Sequence, residues 1–499
     1  MTPREGRAGP SRGRRLGSDI GAYGLGLVLA RLSSVAVLPV VARAVEPALL
    51  GTFASLSSAM LIVYVVLADF GLGEAALRLG SEGDESERAA LFHTVAWVRL
   101  VLGAVVGGLL MVFASPLSRL LTGSDAVAKF APVVAASVLI GAVARALTDY
   151  LRSLDRHHTV ALGLGALTLG ENALMLILAL TTQLDLSWLL LSKLAAQLVS
   201  LALLAWPARG LLRAKLRGAA LRRLFVFGFP LGVFHLLIAV RGVDRIAVAR
   251  LSTLFDAGCY DVAARFAAPV ALSNVALNMT LEPLAYRLHT DPGAKLAIAD
   301  FVRAYVLLFG LAAFSISVLA PELFALVAPA YASGTIVVPA LLFVDVAEGI
   351  QRVAGMPGEL AKRTRLWLAV VLVNAALSLG SMPLFVPRFG PAGAALALLV
   401  GAIAGALVAS IFARRVHPAR PPVSSALWIV VLGAGLASLA LGAGGRAPLP
   451  LWMRLVAIGL FAALSWFLSG ASVAMLRRRA RELLARRSPH ASAGDGELG

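Results

Sequence analysis

The sequence predicts an all-α polytopic membrane protein of about fourteen transmembrane helices, two sets of six followed by two more. Three observations carry this expectation. The first is composition: of 499 residues, 59% are hydrophobic and 14% charged, with a mean hydropathy of +0.86. Soluble domains carry about 25% charged residues, so a soluble enzyme, a disordered chain and a coiled coil are excluded. The second is recurrence, because apolar runs of bilayer-spanning length follow one another along the chain. The third is a segment of the first half that returns in the second.

The elements follow in chain order. A basic tail, 1–19, carries Arg4, Arg7, Arg12, Arg14 and Arg15 before an apolar run, and Ala42-Arg43-Ala44 imitates a signal-peptide cleavage site. A signal h-region is only about 7–15 residues long. The run from Ile20 to Ala44 is longer and contains Arg31, so it reads as an uncleaved first span. Spans are expected at 20–44, 53–73, 91–114, 130–149, 159–181 and 185–206, the N-terminal six-helix bundle (20–206). A basic cytoplasmic connector, 207–226, leads to a C-terminal bundle (227–412) with spans at 227–250, 258–284, 300–320, 334–354, 365–386 and 390–412. Two additional spans at 425–443 and 451–475 precede a basic tail, 476–499. Trp188, Trp206, Trp367, Trp428 and Trp452 fall near span ends, where amphipathic rings meet the headgroups.

The formal charge of +18 is a matter of placement. With the N-terminus cytoplasmic, both tails and the even-numbered loops hold about 29 of the 45 Lys and Arg, and the opposite face holds about six. The positive-inside rule then fixes the orientation, both termini cytoplasmic, and the basic tails suit anionic lipid headgroups. The charge sets topology, and no nucleic-acid role is inferred. The single cysteine, Cys259, permits no intramolecular disulfide, and no Cys/His spacing suggests a metal site or a cofactor.

Val41-Ala42-Arg43 precedes Gly51-Thr52-Phe53 with the same spacing at which Val248-Ala249-Arg250 precedes Gly258-Cys259-Tyr260. This match equates spans 1–2 with spans 7–8, a parallel duplication of the kind found in membrane transporters. No loop between spans is long enough for a soluble catalytic domain. Asp69-Phe70-Gly71 and Gly163-Leu164-Gly165 imitate nucleotide-site fragments but lack the strand and loop such sites need, and read as packing glycines.

An ionisable side chain at the bilayer centre costs about 2.5–3.5 kcal/mol on insertion scales, so it is retained where it faces a watery cavity or a partner. Near mid-span lie Arg31, Arg99, Glu171, Lys193, Arg241, Asp244, Asp345 and Glu348. Nearer span ends lie Asp69, Arg145, Arg265, Arg303 and Arg352, where snorkelling is the competing explanation. Asp345, Glu348 and Arg352 share one helical face, and salt bridges between helices are the structural alternative for such groups. A cation cluster in a low-dielectric cavity attracts an anion, and phosphate oxygens suit Arg well. Gly401-xxx-Gly405 and Gly103-xxx-Gly107 suit close helix packing.

Three segments resemble a known family. Leu67-Ala68-Asp69-Phe70-Gly71-Leu72-Gly73-Glu74-Ala75-Ala76-Leu77-Arg78 resembles the end of span 2 in bacterial polysaccharide exporters. Val243-Asp244-Arg245 followed by Gly258-Cys259-Tyr260-Asp261-Val262-Ala263-Ala264-Arg265 resembles a segment of their second half. Phe389-Gly390-Pro391-Ala392-Gly393-Ala394-Ala395-Leu396-Ala397 resembles the start of their span 12. Together these are similar to the oligosaccharide flippases (Wzx-like) of the multidrug/oligosaccharidyl-lipid/polysaccharide exporter superfamily. The resemblance implies two six-helix bundles facing each other across a central cavity and alternating access in a bacterial inner membrane. It also implies a polyprenyl-pyrophosphate-linked oligosaccharide as substrate and no enzymatic activity. In that reading Arg31, Arg99, Arg145, Lys193 and Arg241 bind the pyrophosphate. Asp69, Glu171, Asp244, Asp345, Glu348 and Arg352 gate the cavity or carry a coupling cation, H⁺ or Na⁺. The partners expected are membrane lipids, a polysaccharide polymerase and glycosyltransferases. The alternatives are a cation-coupled drug exporter on the same scaffold and an integral-membrane glycosyltransferase or ligase.

Overall fold

The computed structural model describes residues 32–65, 70–81, 84–209, 211, 218–239, 242–288, 294–360, 364–416, 422–443 and 447–470. The first half contains α1 (Leu32–Ala44), α2 (Pro47–Val63), α3 (Leu72–Gly80), α4 (Glu85–Val112), α5 (Ala114–Thr122), α6 (Ala131–Ser153), α7 (His157–Thr181) and α8 (Leu186–Ala205). The second contains α9 (Gly218–Ala239), α10 (Val243–Leu251), α11 (Leu254–Leu288), α12 (Ala294–Val318), α13 (Ala320–Val327), α14 (Val338–Leu360), α15 (Thr364–Phe389) and α16 (Pro391–Val416). α17 (Val423–Ala440) and α18 (Leu451–Ser469) follow. Among the described residues there is no strand, and ten helices are long and apolar enough to cross a membrane, with α1 and α2 shorter. The chain is an all-α polytopic membrane protein. Each expected span contains a helix, and Arg31, Asp69 and Arg241 lie outside the described residues.

Local chemistry explains several boundaries. The Asp84 carboxylate accepts from the Glu87 amide at 2.6 Å, so α4 begins before its apolar run does. Asp185 caps α8 in the same way through the Trp188 amide, at 2.9 Å. Two features differ from the hydropathy reading. Span 2 is interrupted: α2 ends at Val63, Phe70 and Gly71 take φ of 39° and 72°, and α3 starts after that left-handed turn. Gly71 accepts this backbone without a Cβ clash, and hydropathy averaged over a window does not register it. In span 7, α9 is described to Ala239 and α10 begins at Val243, with 240 and 241 outside the described residues. The expected loops 115–129 and 321–333 hold short helices, α5 and α13, at matching places in the two halves.

Small residues set the packing distances. Gly103 and Gly107 of α4 lie against Leu139, Ala142 and Ala135 of α6. Gly401 of α16 meets Ser378 and Asn374 of α15, and Gly405 meets Gln351 of α14. A hydrogen bond from Asn374 to Gln351, 3.0 Å, closes that three-helix seam. The final two helices dock on the second half. Buried Arg454 of α18 donates to the Val318 carbonyl at 2.8 Å and to Glu322 at 2.9 Å, and Phe461 stacks on Phe314 with centroids 4.1 Å apart.

The two halves meet where α2 crosses α11. A Cβ on Gly51 would overlap the Leu254 carbonyl, and one on Gly258 would overlap the Pro47 carbonyl. These are the two glycines that the sequence repeat equates. Around them, Arg43 donates to the Leu326 carbonyl near the end of α13 at 2.9 Å, and Tyr331 donates to the Val45 carbonyl at 2.8 Å. Arg250, the repeat equivalent of Arg43, lies within 3.1 Å of the Cβ position of Gly123, the residue that caps α5.

Candidate functional site

Beneath this crossing is a cavity of about 670 Å³, walled by both halves. α2 contributes Phe53, Ser57, Ser58 and Leu61, and α6 contributes Ser137, Arg145 and Thr148. α7 and α8 add Thr168, Glu171, Lys193, Gln197 and Ser200. From the second half come Arg245 of α10 with Asp261 and Arg265 of α11. The wall therefore mixes four cations and two carboxylates with hydroxyl and amide groups on an apolar frame, a net positive lining suited to an anion that also carries hydroxyls.

Of the residues singled out from sequence, Arg145, Lys193 and Glu171 come together here. The Lys193 ammonium lies 3.4 Å from both Glu171 oxygens and 5.9 Å from the Phe53 ring centroid. Arg145 faces the cavity and has its Nε 3.5 Å from Asp149.

Arg99 is placed differently. It is fully enclosed and donates to Asp149 at 2.9 Å, behind the cavity wall. A Cβ on Gly73 would overlap the Asp149 carboxylate, so the glycine of α3 leaves room for this pair. Asp149 also lies 3.7 Å from Arg152, and thus pairs with three arginines, Arg99 of α4 and Arg145 and Arg152 of its own helix, α6. Breaking a buried pair on one side costs about 3–5 kcal/mol. Asp149→Ala is accordingly expected to lower thermal stability in detergent by that order, read as an earlier unfolding midpoint.

The acids of the second half separate. Asp244 is buried; it accepts from the Tyr260 hydroxyl and from the Arg245 amide at 2.8 Å each, and Arg245 Nη1 lies 3.5 Å from its Oδ1. Asp345, Glu348 and Arg352 lie on α14 and do not line this cavity. The Asp345 carbonyl accepts from Asn274 at 2.9 Å, and the Arg352 guanidinium lies 5.3 Å from the Trp367 ring centroid.

Arg245, Asp261 and Arg265 were not among the sequence-based site residues. Arg245 Nε lies 2.8 Å from Asp261 Oδ1, and Arg265 Nε lies 3.1 Å from Asp261 Oδ2. Their signal was present, because all three sit inside the segment that resembles the exporter family's second half. From sequence, Arg265 lies close enough to a span end for snorkelling to compete with pairing. The packing of α11 on α2 turns it inward instead.

Two helical halves around an internal polar cavity define the class of polytopic membrane proteins built like repeat-containing transporters. A profile of the polysaccharide biosynthesis protein family matches residues 40–328, and the chain belongs to that family. No curated protein matches the sequence. Among solved structures, the lipid II flippase MurJ in an inward closed conformation is 13% identical, with a TM-score of 0.65 over 93% of this chain and 99% of that one. An inward-facing multidrug resistance MATE family transporter of the MOP superfamily is 14% identical, with a TM-score of 0.58 over 80% and 96%. A MATE transporter of Vibrio cholerae is 17% identical, with a TM-score of 0.57 over 81% and 96%. These likenesses show the fold, that of the superfamily named after its multidrug, oligosaccharidyl-lipid and polysaccharide members.

Proposed function

We propose that this protein is a flippase that moves a polyprenyl-pyrophosphate-linked oligosaccharide across the bacterial cytoplasmic membrane, for O-antigen or exopolysaccharide assembly. The observation that carries the reading is the cavity of a polysaccharide biosynthesis family member, with cations from both halves and hydroxyl groups from the first. A pyrophosphate needs charge-assisted donors in a fixed fork, which Arg145, Arg245 and Arg265 supply, with Lys193 as a point charge. Ser57, Ser137, Thr168 and Gln197 offer donors and acceptors to sugar hydroxyls. The polyprenyl chain stays in lipid, where its burial in a polar cavity is not required. Arg99 then acts by holding Asp149 and the wall behind Arg145, while Arg31 and Arg241 complete the cationic set. Asp69, Glu171 and Asp244 serve in gating. Asp345, Glu348 and Arg352 on α14 serve in cation coupling, with H⁺ or Na⁺ as the driving ion. The bundles 20–206 and 227–412 are the moving bodies, both termini face the cytoplasm, and a polymerase and glycosyltransferases act upstream and downstream.

The test is reconstitution. Proteoliposomes loaded with a fluorescent polyprenyl-pyrophosphate oligosaccharide are expected to show protein-dependent loss of protection from a membrane-impermeant quencher. Equal protection with and without protein overturns the reading. Sugar transfer between lipid carriers without translocation would replace it with the glycosyltransferase alternative.

A further inference from the structure

Two carboxylates stand beside Arg245, and they are held in different ways. Asp244 does not line the cavity; the Tyr260 hydroxyl and the Arg245 amide hold it at 2.8 Å each, and Arg245 Nη1 lies 3.5 Å from its Oδ1. Asp261 lines the cavity, and its partners are the two cavity arginines: Arg245 Nε at 2.8 Å on Oδ1, and Arg265 Nε and Nη2 at 3.1 Å on Oδ2. Its two oxygens thus occupy the N–H directions that an anionic headgroup would use. A carboxylate and a phosphate compete for the same guanidinium fork.

We propose that Asp261 is an exchangeable internal anion, which neutralises Arg245 and Arg265 in the empty cavity and is displaced by the pyrophosphate of an arriving substrate. The inference rests on the flippase reading above. A carrier must also reorient when empty. Without Asp261, a closing dry cavity would hold two dehydrated guanidinium groups next to one carboxylate, Asp244, 3.5 Å from Arg245 Nη1, which is unfavourable. Asp261 removes that penalty for the return step. Asp244 meanwhile keeps Arg245 aimed at the cavity, so the arginines need not move far when their partner changes. The cost is weaker substrate binding, since the headgroup must first break two ion pairs.

The purified full-length protein is titrated with inorganic pyrophosphate and with farnesyl pyrophosphate, and transport is measured in the reconstituted system. Asp261→Asn is expected to bind at least one compound about tenfold more tightly, and the tighter compound identifies a free or a lipid-linked source. The same variant should lose net transport, while exchange between substrate-loaded faces declines much less, because only the empty return is blocked. Asp261→Glu retains the competitor and should bind within about threefold of the unsubstituted protein. Unchanged or weaker binding by Asp261→Asn, or equal loss of net transport and exchange, overturns the inference. If Asp261→Asn unfolds, its recovery by added pyrophosphate supports the exchange, and failure to recover makes Asp261 a structural residue and overturns it. The two readings fail separately. Binding by the unsubstituted protein that Arg265→Gln abolishes and Asp261→Asn leaves unchanged sinks the exchange alone. No binding by any form sinks the pyrophosphate reading itself.

Discussion

Replacing Lys193 with Gln is expected to slow transport of the lipid-linked substrate by about 100-fold, and replacing Glu171 at the same time is expected not to restore it. The pair lines the cavity with Nζ 3.4 Å from each carboxylate oxygen, so Lys193 has two separable duties. One is to neutralise Glu171, and the other is to offer a donor to the substrate's phosphates. A single substitution removes both. Glu171→Gln/Lys193→Gln leaves no uncompensated charge, and any remaining deficit belongs to substrate recognition. A hydrogen bond involving a charged partner contributes about 1.5–3 kcal/mol, and 100-fold corresponds to about 2.7 kcal/mol. Adding Arg145→Gln should bring transport to background, because Asp149 retains Arg99 at 2.9 Å and the wall stays folded. The checks are initial rates in proteoliposomes and unfolding midpoints of the same preparations. Recovery of transport in the double variant would confine Lys193 to a structural ion pair.

How much of this was legible in the sequence depends on the kind of interaction involved. Composition and apolar length place a helix in every expected span, because burial in lipid is an additive property of neighbouring residues. The charges were a harder problem. Lys193 and Glu171 sit mid-span with no cheap route to water, and their place in the cavity follows from cost alone. Arg99 has the same sequence signature but lies in a sealed pair with Asp149, fifty positions away, and only tertiary packing distinguishes the two outcomes. Arg265 shows the reverse error. Near a span end, snorkelling is as cheap as pairing, so hydropathy gives no reason to turn it inward. Asp261, four residues earlier on α11, does so through its carboxylate. The break at Gly71 escaped for another reason, since an interrupted helix keeps the hydropathy of a continuous one. The repeat proved the most informative signal beyond hydropathy, because its paired residues meet in space.

Arg43→Glu combined with Arg250→Glu is expected to hold the cavity open at the α2–α11 end, the outer end in the orientation proposed above. Each arginine reaches from one half to the C-terminal end of a short helix in the other: Arg43 to Leu326 of α13, Arg250 to Gly123 of α5. Helix C-termini carry partial negative charge, and a cation there contributes about 0.3–1 kcal/mol. Reversal turns each attraction into repulsion. With solvent screening at these exposed sites, the two together move the equilibrium by about 1–3 kcal/mol, about a 5- to 150-fold change in the ratio of open to closed protein. The glycine crossing gives a larger effect by a different force. Any side chain at Gly258 meets the Pro47 carbonyl, so Gly258→Leu should prevent the end from closing and stop transport. Both are read in a Cys259→Ser background with Ser57→Cys as a reporter in the cavity wall, labelled by a membrane-impermeant maleimide from outside. Faster labelling in the charge-reversed protein and still faster labelling in Gly258→Leu fits a latch made of repeat-equivalent residues. Labelling unchanged in both would show that the two halves do not separate at this crossing, and the gate would then have to lie elsewhere in the fold.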